Sequence, residues 1–269
     1  MIECSLLIST YNWPAALSLC LQSVMLQTVL PGEVIICDDG SKKETANLIE
    51  TFKKDFPIPL LHIWQYDQGF QLAQIRNKGF AIAAGKYIIQ VDGDLILHKD
   101  FVKDHLNFRK PGFFSTGSRV LISPELTAEM FETNGIDVNR FSKNNNNYFN
   151  RIHLPFLQNF LATRYKNKGK WKYYVKGCNM AFWKKDLVSI NGYNEDFTGW
   201  GKEDSEIAIR LMNNHIHKRF IKFGAICYHL YHAEVSREME EKNKDMMQNA
   251  ADKNITYTTN GMNKYLQAN

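Results

Sequence analysis

The chain has 269 residues, 44% hydrophobic and 23% charged, a composition ordinary for a globular protein and long enough to bury a sizeable core. Its net charge of +5, from 33 basic against 28 acidic residues, is small and dispersed, which argues against nucleic-acid binding. No apolar run approaches the roughly 18 residues needed to span a bilayer.

The first ten residues carry no basic region and no small-residue cleavage site. They read as a first strand (4–9) and not a signal peptide, so a cytoplasmic protein is expected. After Thr10-Tyr11-Asn12-Trp13, Pro14 suits the first turn of a helix, and residues 15–27 place Leu17, Leu21, Val24 and Met25 at helical spacing. A short buried strand at 33–37 ends in Asp38-Asp39-Gly40-Ser41, where Ser41 is expected to cap the next helix and Glu44 to complete a capping box. Residues 59–64 form a third strand candidate, and a helix is expected over 71–84 after the turn Asp67-Gln68-Gly69.

The run 86–97 is apolar and β-branched, as in a strand buried on both faces, and contains Asp92-Gly93-Asp94. Along an extended chain the two carboxylates point the same way, and Gly93 admits a close approach to the backbone. Two such carboxylates need a cation, and a divalent, oxygen-seeking metal that also holds a diphosphate neutralises both. The plainer alternative is a polar turn after a strand. Strand and helix in alternation mean a mainly parallel α/β sheet with helices on both faces, and ligands of such sheets sit beyond the carboxyl ends of the strands. Those ends here carry Thr10-Tyr11-Asn12, Asp38-Asp39-Gly40 and Asp92-Gly93-Asp94. Neither G-x-G-x-x-G nor a P-loop follows the first strand, which argues against dinucleotide or P-loop binding.

A strand candidate (114–122), a helix start at Pro124-Glu125 and an asparagine run (144–147), read as a flexible loop or lid, make up the middle. The basic stretch 164–172 reads as a solvated loop, with an anionic membrane surface as the alternative. Glu203 and Asp204 open a helix behind a turn crowded with glycines and Trp200. They serve either the helix dipole or a hydroxylated, flat ligand such as a sugar. A strand at 225–227 precedes His229 and His232, and a histidine just past a strand can complete a carboxylate metal site. The polar tail offers Met239, Met246, Met247 and Met262 for packing on the body or on a second subunit. Cys4, Cys20, Cys37, Cys178 and Cys227, odd in number and without a C-x-x-C pair, are expected to be buried free thiols.

Together, Ser9-Thr10-Tyr11-Asn12, Asp38-Asp39-Gly40-Ser41, Gly69-Phe70-Gln71 with Arg76-Asn77-Lys78-Gly79, and Asp92-Gly93-Asp94 resemble an inverting family 2 glycosyltransferase of the GT-A fold. Gly177-Cys178-Asn179-Met180-Ala181-Phe182 and Gly199-Trp200-Gly201-Lys202-Glu203-Asp204 resemble the galactosyltransferase-type region shared with bacterial chondroitin polymerase modules and β-1,4-galactosyltransferases. The resemblance implies one GT-A domain over 1–232, with a nucleotide-binding half (1–110), an acceptor half (111–232) and a helical tail (233–269). It implies that Thr10, Tyr11, Asn12 and Asp39 or Asp38 hold the nucleoside and that Arg76 lies near the diphosphate. Gln71, Asp92, Gly93, Gly177, Asn179 and Trp200 would line the nucleotide-sugar site. Asp94 with His229, His232 or both would bind Mn²⁺ or Mg²⁺, Asp204 would be the catalytic base, and Glu203 would touch the acceptor.

The implied partners are a UDP-sugar donor and a bacterial surface glycan or lipid-linked saccharide acceptor, with peripheral contact at the cytoplasmic membrane and a homodimer both left open. The chemistry is self-consistent. Inverting transfer uses one carboxylate to take the acceptor's proton, with no second carboxyl for a covalent intermediate, and the leaving diphosphate needs its charge neutralised. Two other readings compete: a non-catalytic nucleotide-sugar or glycan-binding module, and a sugar nucleotidyltransferase. The latter usually carries a glycine-rich, basic phosphate loop after the first strand, and this chain has none.

Overall fold

The computed structural model describes residues 2–137, 147–233 and 236–266. Its first strand, β1 (Cys4–Thr10), is buried along its whole length because alternate side chains serve two cores. Leu6 and Ile8 pack with Leu17, Leu21 and Val24 of α1 (Pro14–Met25), whereas Leu7 faces the cluster holding Ile75 and Phe80 of α3 (Leu72–Ile82). Between these helices come β2 (Glu33–Asp38), α2 (Lys43–Lys53) and β3 (Leu60–Trp64), and after them β4 (Tyr87–Asp92).

The second half contributes β5 (Leu95–Leu97), α4 (Phe101–Phe108), β6 (Phe113–Thr116), β7 (Val120–Leu121), α5 (Pro124–Thr133) and α6 (Gln158–Leu161). It continues with β8 (Asn179–Trp183), α7 (Lys184–Ile190), α8 (Glu203–Asn213), β9 (His217–Phe220), β10 (Cys227–His229) and α9 (Glu240–Asp252). The large sheet runs β3-β2-β1-β4-β8-β6-β9. Its first four strands are parallel, β8 is antiparallel to both neighbours, and β6 and β9 are parallel, so the α/β sheet is mainly parallel as expected. The chain leaves β1 for β2 and β3 on one side and returns to β4 on the other. The carboxyl ends of β1 and β4 therefore flank a topological switch point, where such sheets open a crevice.

Three local expectations need correction. Residues 86–97 are not one strand: β4 ends at Asp92, the chain turns at Gly93-Asp94, and β5 enters a separate sheet of order β5-β10-β7. The run 114–122 likewise divides, β6 joining the large sheet and β7 the small one. Ser41 does not cap α2. Its hydroxyl accepts the Asn12 N–H at 2.8 Å while Asn12 Oδ1 accepts the Lys42 N–H at 2.8 Å, so the side chains that would cap a helix lock two adjacent turns together. The lid expectation falls mostly on residues 144–146, outside the described residues.

The tail packs on the body. Helix α9 lies along α8, Met262 is fully buried beside α3, and Asn191 takes the Met262 N–H while donating to the Thr258 carbonyl. Glu195 Oε2 accepts from Lys264 (2.7 Å) and Tyr265 (3.0 Å). All five cysteines are buried and free, and burial pushes the Cys4, Cys37 and Cys178 thiols up to about 12. Among the described residues no helix is long and apolar enough to cross a membrane.

Candidate active site

The turns after β1 and β2 form one wall of the crevice. Asp38 is consumed by its own turn: Oδ1 accepts the Ser41 N–H at 2.7 Å and Oδ2 lies 3.0 Å from His62 Nε2. Asp39 ties β2 to the start of α3, accepting Gln65 Nε2 at 2.6 Å and the Gln71 N–H at 2.9 Å; burial outweighs these bonds and pushes its carboxyl up to about 6. Its own N–H donates to the Thr10 carbonyl, which is how Thr10 joins the wall. Tyr11, half-exposed, donates its hydroxyl to Asp67 Oδ2 at 2.8 Å. Trp64, also exposed, donates Nε1–H to the Ser41 carbonyl of the same wall at 3.0 Å.

Arg76 organises the crevice floor. It projects from α3 and is fully buried, with Nη2 donating to Asp92 Oδ1 at 2.8 Å, Nη1 to Asp204 Oδ1 at 3.0 Å and Nε to Ser9 Oγ at 3.2 Å. One guanidinium thus joins the ends of β1 and β4 to the first turn of α8. Three of its five N–H donors are engaged by these protein groups. Tyr193 lies beneath, its ring 5.4 Å from the guanidinium carbon, donating to Asp204 Oδ1 at 2.8 Å and accepting from Gln90 Nε2 at 3.0 Å.

The adjacent carboxylates Glu203 and Asp204 differ sharply. Glu203 is buried, its Oε2 has no hydrogen-bond partner among the described residues, and burial with the neighbouring Asp204 charge pushes its carboxyl up to about 8. Its carboxyl is held back beside the Arg76 guanidinium, Oε1 standing 4.0 Å from Nη1. The Asp204 side chain keeps 22% exposure against 9% for Glu203, and with Oδ1 occupied by two donors its Oδ2 is the acceptor left over. Gly177 makes room for it, since a Cβ there would stand 1.6 Å from Asp204 Oδ2.

A carboxyl that is more basic folded than unfolded removes stability as pH rises. For Glu203 the loss begins near the ordinary value of 4.5 and is complete above about 8, at on the order of 1 kcal/mol per pH unit between. Glu203→Gln is therefore expected to flatten the fall in melting temperature from pH 5 to pH 8. An unchanged slope in thermal unfolding would place the ionisation elsewhere.

Beyond the turn that ends β4, Asp94 Oδ2 lies 3.4 Å from Nε2 of both His229 and His232. Each ring is held through Nδ1 by a backbone carbonyl, Leu230 O at 2.8 Å and Ala233 O at 2.7 Å, which directs both Nε2 lone pairs towards the carboxylate. Asp94 Oδ1 is buried without a hydrogen-bond partner among the described residues. Convergent imidazole and carboxylate donors with an orphaned buried oxygen fit a divalent cation. The three ligand atoms lie within 4.8 Å of one another.

Other expected site residues take different roles. Asn179 is corrected: it is fully buried, donates to Ser118 O (3.1 Å) and Ala225 O (2.9 Å), and meets His105 Nε2 at 3.0 Å, so no polar atom remains for a ligand. At Gly93 the close approach is to the chain itself, its N–H donating to Ser9 O at 2.7 Å. Trp200 lies under the Arg237 guanidinium, 5.1 Å from its ring centre, and so faces the start of the tail. Tyr193, Gln90 and Arg119 were not singled out in the sequence. Gln90 could have been, because the one amide inside the otherwise apolar run 87–91 must find a buried partner. Arg119 is half-buried at the crevice, its charge favoured against burial by Cys178 and by the Asp92 and Asp94 carboxylates.

The chain is similar to known proteins in sequence and in fold. A family profile described as glycosyl transferase family 2 matches residues 5–189, and a second, described as the N-terminal domain of galactosyltransferase, matches 159–233. The chondroitin synthase of Escherichia coli is 26% identical over 241 residues, covering 84% of this chain and 34% of that protein. The chondroitin synthase of Pasteurella multocida is 28% identical over 245 residues, covering 85% and 25%. The chain thus spans no more than about a third of these relatives. The crystal structure of S. aureus TarS 1–349 in complex with UDP superposes with a TM-score of 0.64 at 16% identity, over 91% of this chain and 64% of that one, a likeness of fold. With the first profile spanning more than half of the sequence and the second reaching over Asp204 and His232, the chain belongs to glycosyl transferase family 2.

Proposed function

We propose that the chain moves a hexose or N-acetylhexosamine from a UDP-sugar to a hydroxyl of a bacterial surface glycan or lipid-linked precursor, with inversion at the transferred carbon. The observation that carries this reading is the Arg76 bridge, which sets Asp204 of α8 against Asp92 of β4, two residues from the Asp94-His229-His232 cluster. The solved relative bound to UDP and the chondroitin synthases support a uridine donor and a saccharide acceptor.

In this mechanism the Tyr11 wall receives the nucleoside, and Arg119, a crevice cation with no hydrogen bond to a carboxylate among the described residues, faces the diphosphate. Asp204 Oδ2 accepts the acceptor's hydroxyl proton as the new C–O bond forms and the bond to UDP breaks. Tyr193 and Arg76 hold the other Asp204 oxygen, keeping the carboxylate oriented. Asp94, His229 and His232 would hold a divalent cation, which when bound supplies Lewis-acid neutralisation of the departing diphosphate. Two imidazoles in the donor set suit Mn²⁺ better than Mg²⁺, which prefers all-oxygen coordination.

The test is a panel of nucleotide-sugars offered to purified protein with Mn²⁺ and saccharide acceptors. UDP release is expected; release of pyrophosphate would indicate a nucleotidyltransferase, and binding without turnover a non-catalytic module. Asp94→Ala is expected to abolish metal-dependent UDP binding measured by titration calorimetry, and binding equal to wild type would remove the metal from this site.

A further inference from the structure

Among the described residues a second group of three metal-donor side chains converges away from this crevice: His98, Asp100 and His153, with ligand atoms within 4.8 Å of one another. It lies at the far end of β5. Asp94 precedes that strand and His98 follows it, so four residues of extended chain, about 13 Å, separate the two clusters. We propose that His98, Asp100 and His153 form a second divalent-cation site, of zinc type, that pins the segment carrying His153 to the β5–α4 junction.

The site is built before any ion arrives. The His98 backbone is fixed on both sides, its N–H donating to Ile226 O at 3.0 Å and its carbonyl accepting Gln27 Nε2 at 2.9 Å. Asp100 is held by Thr28, whose hydroxyl donates to Oδ1 at 2.7 Å, and Asp100 Oδ2 stands 3.9 Å from His98 Nδ1. His153 is oriented by buried Asp104, whose Oδ2 lies 2.8 Å from Nε2 and also accepts the Ala225 N–H at 2.8 Å. A carboxylate at that distance requires the proton on Nε2, which leaves Nδ1 as the lone-pair donor. This is the carboxylate-backed imidazole that metal-binding histidines use.

The two imidazole centres are 4.7 Å apart and tilted by 44°, so both rings reach the same small volume beside Asp100. Two nitrogens and one carboxylate oxygen, with water in the remaining position, match the preference of Zn²⁺. Lys103, 3.8 Å from Asp100 Oδ1, is half-exposed and free to swing into solvent when the ion binds. A clamp of this kind joins α4 to the segment 152–154 without touching the proposed transfer chemistry.

Zinc stoichiometry separates the two sites. In an Asp94→Ala background, equilibrium dialysis followed by metal analysis is expected to find one bound Zn²⁺ per chain, and Co²⁺ in its place is expected to give a ligand-field spectrum with nitrogen donors. Adding His98→Gln or His153→Gln should remove both signals, and Asp104→Asn should weaken binding 10–100-fold. Far-UV dichroism of the metal-free variants guards against misfolding, and His153→Gln is the milder change because its ring keeps 26% exposure. No zinc in the Asp94→Ala protein, or zinc that survives both histidine substitutions, would overturn the proposal whatever the outcome of the transfer assay.

Discussion

Asp204→Asn is expected to lower the turnover number for sugar transfer by roughly 10²–10⁴ while leaving the affinity for the UDP-sugar near that of the unaltered protein. The substitution is nearly isosteric, and the amide oxygen can still accept from Arg76 and Tyr193 on the Oδ1 side. What it loses is the proton-accepting oxygen on the Gly177 side. A fall in rate without a rise in KM therefore reports the base itself. Turnover within a few-fold of wild type would transfer that role to another group, with Glu203 the first alternative because its carboxyl, pushed up to about 8, is basic enough though buried.

The second large effect expected is on stability. Arg76→Met keeps the length and apolar stem of the side chain and removes the charge that compensates Asp92 and Asp204 and stands 4.0 Å from Glu203. Breaking a buried ion pair by deleting one partner costs about 3–5 kcal/mol. Here the lower end is expected, since the Asp92 and Asp204 side chains retain 31% and 22% exposure and water can screen them. Urea unfolding at neutral pH would show a lower midpoint at an unchanged slope. A loss under about 1 kcal/mol would mean that the carboxylates relax apart and that Arg76 is not what holds β4 and α8 together. Because the same guanidinium orients the proposed base, activity should fall alongside stability, whereas Asp204→Asn should spare the fold.

The alternating run that became β1 to β4 was legible because the strands are short and apolar and three helices separate them at regular spacing. Those constraints are local and the parallel sheet follows from them. The acidic ends of β2 and β4 could be read for the same reason, as could the helix opening at Glu203. Where the reading failed, the deciding interaction was long-range. Asp92-Gly93-Asp94 looks like the end of one strand, but residues 95–97 find their partner in β10, more than a hundred residues later, and the chain turns to reach it. Ser41 has a capping spacing but meets the N–H of Asn12 first. Asn179 sits in a motif suggestive of a ligand, and its amide instead joins three segments around His105.

By itself, the sequence determined which strand ends carry carboxylates and imidazoles, because residue type and periodicity are local properties of the chain. Only the tertiary structure decided how those groups divide the work. It placed Arg76 between Asp92 and Asp204, buried Glu203 while leaving Asp204 open, and brought both His229 and His232 to Asp94. The physical reason is that ionisation and coordination depend on burial and on the nearest opposite charge, and both are set by segments far apart in sequence that meet only when the sheet closes.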